Sequence, residues 1–151
     1  LKIVLCMLLV WGGVAHSDPL LNEMIQVADV VFSGNGTEDM VEWERFTMQI
    51  MPEVEPVDIA ALFRPESTVP QEQRNQAKFL FLKSQGIATL ERGGKTMTEF
   101  LQSRGFTMSL YDHHYNPALM FTKDNEPSRR FDFVRRDGKL KLAKVTLEPV
   151  R

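Results

Sequence analysis

Cysteine is nearly absent: Cys6 stands alone, within the apolar run that opens the chain. Beyond it there is no thiol for nucleophilic or redox catalysis, no cysteine ligand for zinc and no disulfide. Positive charge is not in excess either. The formal net charge of −2 excludes a protein that grips nucleic acid by neutralising phosphates, because such binding needs a surplus of Lys and Arg to release counterions. Long hydrophobic runs are missing too. The longest, residues 3–11, falls short of the roughly 20 residues that cross about 30 Å of hydrocarbon, so no permanent membrane span is expected. There is no Gly-x-Ser-x-Gly elbow, and Ser103, Ser109 and Ser128 lack evident His and Asp partners, which removes the usual serine-nucleophile chemistry. No internal repeat, low-complexity tract or long linker divides the 151 residues.

The opening residues have the layout of a secretory signal peptide: Lys2, the apolar run 3–11, Gly12-Gly13, then Ala15-His16-Ser17. Cleavage after Ser17 would place small side chains where the peptidase requires them. We therefore expect a signal peptide over 1–17, a single domain over 18–151, and a secreted or periplasmic location. Cys6 lies too early for lipid attachment. Asn35-Gly36-Thr37 is a glycosylation sequon in a eukaryotic source and only a turn in a bacterial one.

Charge divides along the chain. Residues 18–72 hold twelve acidic side chains against Arg45 and Arg64, whereas residues 74–151 hold fifteen basic against eight acidic. The basic residues are dispersed, so the two halves are expected to present complementary faces of one domain. Apolar spacing of three and four from Leu20 to Phe32 predicts a helix. Thr37 with Glu38 and Asp39 reads as the start of a second helix through Met40, Trp43, Phe46 and Ile50, while the alternation of Phe46, Met48 and Ile50 supports a strand over the same residues. Both readings of 40–51 stand. Prolines 52, 56, 65 and 70 leave "VDIAALF" room for a turn or two of helix. The stretch "QEQRNQAKFLFLKSQG" predicts a helix that buries Ala77, Leu80, Phe81 and Phe79 and stops at Gly86. Gly93-Gly94 offers a turn, and Thr96-x-x-Glu99 a capping box for a short helix. After Gly105 the period becomes two, Asp137-Gly138 predicts a hairpin, and the parity change after Leu142 predicts a bulge near Ala143-Lys144. Helices first and a meander afterwards give the class: α+β, with N-terminal helices packed on a curved antiparallel sheet formed mainly by the C-terminal half.

This order, finishing in "RRFDFVRRDGKLKLAKVTLE", resembles the nuclear transport factor 2-like (cystatin-like, cone-shaped) α+β domains. The likeness lies in Phe131 to Phe133, the Asp137-Gly138 turn and the strand from Leu140 to Leu147. It implies either a binding or accessory domain, or an isomerase or dehydratase working in the cone with Tyr, Asp or His. No residue set of that kind transfers position by position.

Candidate chemistry gathers in "SLYDHHYNPALMF". Asp112, His113 and His114, with Tyr111, offer imidazole and carboxylate for zinc or proton transfer. Adjacent residues of a strand face opposite ways, so the two histidines cannot converge on one ion, and at most one faces inward. A solvated bend before Asn116-Pro117 is the simpler reading, and neither metal nor cofactor is expected. "RGGK", residues 92–95, reads as a turn rather than a phosphate loop. Met40, Met48, Met51, Met97, Met108 and Met120 read as core fillers rather than a pocket lining. Arg129, Arg130, Arg135 and Arg136 put guanidinium pairs at both ends of one strand, with one of each pair outward, as a surface for a ligand, an acidic partner or lipid headgroups.

The sequence thus points to an exported, non-catalytic binding or protein-interaction module whose partner is an unknown protein or a small apolar ligand, with pairing of two copies through the sheet left open. The alternatives are a small cone-fold enzyme using a His and a carboxylate, and an inhibitor or immunity-type protein.

Overall fold

The computed structural model describes residues 18–49, 52, 55–111 and 116–150. The expected signal peptide over 1–17, and Asp112, His113 and His114, lie outside the described residues. Helix α1, Pro19–Val31, begins where the side chain of Asp18 accepts hydrogen bonds from the Leu20 and Leu21 amides at 3.0 and 3.2 Å, with Pro19 opening the first turn. Met24, Ala28 and Val31 form its buried stripe.

The helix expected after Thr37 does not form. Two 3₁₀ turns, Glu38–Met40 and Trp43–Arg45, flank extended Val41, and a short strand β1, Thr47–Met48, follows. The strand reading therefore holds at 47–48, and the reason is tertiary. The amides of Glu42 and Gln49 donate to the carbonyls of Leu142 and Val145, each at 2.9 Å. Val41, Trp43 and Phe46 are buried by the same docking, which overrides local helix preference. Thr37 donates to the Asp39 carboxylate and makes no cap.

After β2, Val57–Asp58, and a 3₁₀ turn over Ile59–Leu62, helix α2 runs Gln71–Glu91. It passes straight through Gly86, correcting the expected stop, and ends instead at Gly93 and Gly94, both with positive φ. Its buried side is also narrower than expected: Phe81 and Ala77 meet the core, but Phe79 and Leu80 are each 55% exposed. Helix α3, Met97–Ser103, carries the capping box, with Thr96 and Glu99 satisfying each other's amides at 3.0 Å.

Strands β3 (Thr107–Tyr111), β4 (Ala118–Thr122), β5 (Ser128–Arg136) and β6 (Lys139–Glu148) form an antiparallel meander. The sheet order is β2-β1-β6-β5-β4-β3, and β1 pairs parallel with β6, so the sheet is mixed rather than purely antiparallel. Asp137 and Gly138, at φ 50 and 80, make the tight hairpin. Asp132 pairs with Lys144 and Phe133 with Leu142, leaving Ala143 as the bulge. Because of that extra residue both Leu142 and Val145 reach the core. The three α-helices among the described residues contribute to one core against one sheet face, where Phe32, Phe46, Phe121, Phe131 and Phe133 are at most 1% exposed. The fold is α+β. No helix among the described residues is long and apolar enough to cross a membrane.

Among the described residues four ion pairs tie the acidic half to the basic half: Glu23 with Arg135 at 2.8 Å, Glu42 with Arg136 at 2.9 Å, Glu38 with Lys78 at 3.8 Å, and Asp39 with Lys139.

Candidate functional site on the open sheet face

Strand parity sends the residues between the core positions to the other face, where Ala118, Met120 and Ala143 are buried and Thr47, Arg130 and Asp132 are half-buried. Along β5 the core takes Arg129, Phe131 and Phe133, leaving Arg130 and Asp132 outside. The register then builds cross-strand rows. Tyr111, Ala118, Asp132, Lys144 and Thr47 stand side by side in one row, and Met120, Arg130 and Thr146 in the next. This face carries an open cleft of about 640 Å³. Its floor is Thr47, Arg130, Asp132 and Lys144, with buried Ala143 between; Glu44, Arg45 and Arg64 rise on one side and Asn116 on the other.

The charges are not equally engaged. Arg130 donates from Nε to Asp132 at 3.0 Å and pairs with Glu148 at 3.7 Å. Arg64 pairs with Asp58 at 3.2 Å. Arg45 and Lys144 are exposed and have no hydrogen-bond or ion-pair partner for their side chains among the described residues. Two cations unpaired among the described residues and two partly engaged, against Glu44 and Asp132, suit the cleft to a charged ligand.

Of the four arginines expected to form a surface, only Arg130 belongs here. Arg129 is buried on the core side, its guanidinium 4.6 Å from the Phe106 ring centroid and its Nη1 donating to the Pro127 carbonyl at 2.9 Å. Arg135 and Arg136 are both exposed rather than one outward and one inward, and both are tied to N-terminal carboxylates. Tyr111 is exposed at the end of β3 and lines a separate depression with Thr122 and Glu148. Among the described residues no group of three or more His, Cys, Asp or Glu could hold a metal ion. Arg92 of the "RGGK" turn donates to the Phe32 carbonyl at 2.6 Å and so clamps the end of α1 rather than waiting for an anion.

Sequence reasoning missed Arg45, Arg64 and Lys144, although a signal existed. Arg45 and Arg64 are the only basic residues between 18 and 72, and both reach this cleft.

Among the described residues two carboxyls elsewhere are perturbed: Asp39 is lowered to about 2 by its hydrogen bonds with Lys139 and Thr37, and Asp29 is raised. Asp29 on α1 accepts from the Thr98 amide and hydroxyl of α3, each at 2.9 Å, yet burial outweighs these bonds and pushes it above the ordinary 3.8. It lines none of the clefts described, so its role is to join α1 to α3. A raised folded value means that the stability it contributes is fully present below pH 3.8 and is lost as pH rises through the folded value. Asp29→Asn keeps an acceptor for Thr98 without the buried charge. Its urea midpoint relative to the parent is expected to rise from pH 4 to pH 7; a gap that is flat or closes with pH would refute the assignment.

The chain matches no protein-family model, and comparison with curated proteins and with solved structures found no significant similarity.

Proposed function

We propose that the chain is a non-catalytic binding module, exported as its first seventeen residues suggest, that recognises a charged ligand or partner through the open face of its sheet. The observation that carries this reading is the cleft of about 640 Å³ built from charged side chains of separate segments. The cone of the resembling domains holds its ligand between helices and sheet, whereas here phenylalanines at most 1% exposed occupy that space. This favours a charged ligand over the small apolar one expected from the sequence. It also counts against the proton-transfer alternative, in which His113 or His114 with Asp112 or Tyr111 would act on a substrate inside the cone.

The test is amide chemical-shift mapping on the full chain with citrate, pyrophosphate, spermidine and decanoate. Perturbations by at least one charged probe are expected at Thr47, Arg130, Asp132 and Lys144. Perturbation only by decanoate, centred on Phe121 and Phe131, would overturn the reading in favour of an apolar cone ligand.

A further inference from the structure

The cations of the cleft have an order. Arg64 stands over β2 through its pair with Asp58, Arg45 precedes β1 by two residues, Lys144 lies on β6 opposite Thr47, and Arg130 lies on β5. β2, β1, β6 and β5 are consecutive in the sheet, and neighbouring strands lie about 4.8 Å apart. The four residues therefore step diagonally across the strands, on the order of 14 Å measured across them, with Arg45 two residues to one side of the Thr47–Lys144 row and Arg130 two residues to the other. The two central members are the ones whose side chains have no partner among the described residues. The outer two retain donors: Arg64 uses Nη2 on Asp58, while Arg130 uses Nε and Nη1 on Asp132 and Glu148, and each guanidinium has five N–H groups.

Resting on the binding-module reading, we infer that the cleft takes an elongated small organic anion bearing two or more carboxylate or phosphoryl groups, laid across the strands with Lys144 and Arg45 as its principal contacts. A single small anion would meet only part of this diagonal. Thr47 and Asn116 supply neutral hydrogen-bonding groups in the same lining. Several cations along one cleft sum their potentials, which favours multivalent over monovalent anions.

The experiment is calorimetric titration of the full chain at low ionic strength with citrate, pyrophosphate and acetate. Citrate or pyrophosphate is expected to bind and acetate not, with the tighter of the two distinguishing a carboxylate from a phosphoryl ligand. Arg45→Ala and Lys144→Ala should each weaken binding about tenfold, as loss of one charge-assisted contact does, and the double variant about a hundredfold. Lys83→Ala, on exposed α2, should leave affinity unchanged. Both cleft residues are exposed, so the variants should melt with the parent. Failure of both multivalent anions, or equal affinity in the double variant, would overturn the inference. So would binding of a hexaglutamate peptide alone, which would replace the small anion by an acidic protein segment. If spermidine maps to the open face and the anions do not bind, the inference fails while the module reading stands.

Discussion

Replacing Phe131 with alanine is expected to remove ~3–5 kcal/mol of folding stability, the range for emptying a fully buried aromatic site. Phe131 is 0% exposed at the middle of β5. Its ring meets Phe32, at the end of α1, edge-on at 5.9 Å and Phe121 of β4 at 5.6 Å, so one side chain links a helix to two strands. Such pairs add to the burial of apolar area. The surrounding backbone is hydrogen-bonded on both edges of β5, which limits collapse into the cavity. Urea unfolding of Phe131→Ala and Phe131→Leu measures the effect, with the leucine variant expected to lose much less. A loss below about 1 kcal/mol for alanine would mean that the site refills, far outside the usual range. The space between helices and sheet would then be adaptable enough to admit a ligand, reviving the enzymatic alternative.

Gly34→Ala is expected to destabilise by about 3 kcal/mol, combining a strained backbone with a steric conflict. Gly34 has φ +95, and a Cβ there would sit 2.7 Å from the Cα and 2.8 Å from the amide nitrogen of Gly86. Both obstacles are backbone atoms of a helix, which cannot swing aside. The reciprocal change behaves differently. A Cβ on Gly86 would meet Gly34 and the Ser33 carbonyl at 3.8 Å, an ordinary contact, and alanine is favoured over glycine inside a helix by up to about 1 kcal/mol. Gly86→Ala should therefore melt at or above the parent temperature and Gly34→Ala well below it. Equal losses in the two variants would show that the contact between the loop after α1 and α2 is not as close as described.

The legible parts of the fold were those with local causes. The apolar spacing of α1, the Thr96 and Glu99 box, the Asp137-Gly138 turn and the parity change at Ala143 each depend on residues a few positions apart. The segment from Val41 to Gln49 was ambiguous because its hydrogen-bond partners, Leu142 and Val145, belong to a strand far along the chain. Gly86 was misread because a glycine stops a helix only where the chain must turn there, and here Gly93 and Gly94 do that. Phe79 and Leu80 were assigned to the core because α2 has apolar residues around much of its circumference and no single stripe. At the cleft the sequence offered Arg130 among four arginines, but only the register distinguishes it from Arg129, one residue away and on the opposite face. Arg45, Arg64 and Lys144 converge through strand order alone.

The parallel pairing of β1 with β6 also has a temporal meaning. Thr47 and Lys144 are 97 residues apart in sequence, so joining them closes one of the longest loops in the molecule, and such contacts are the slow ones in folding. During synthesis the stretch from Val41 to Met48 emerges early, with only the short β2 close behind it to pair with until β6 follows. Arg45 and Lys144 come together only when the two meet. The cleft is thus a property of the finished molecule, absent from any nascent or truncated chain that lacks β6, and its ligand would recognise only protein that had completed folding.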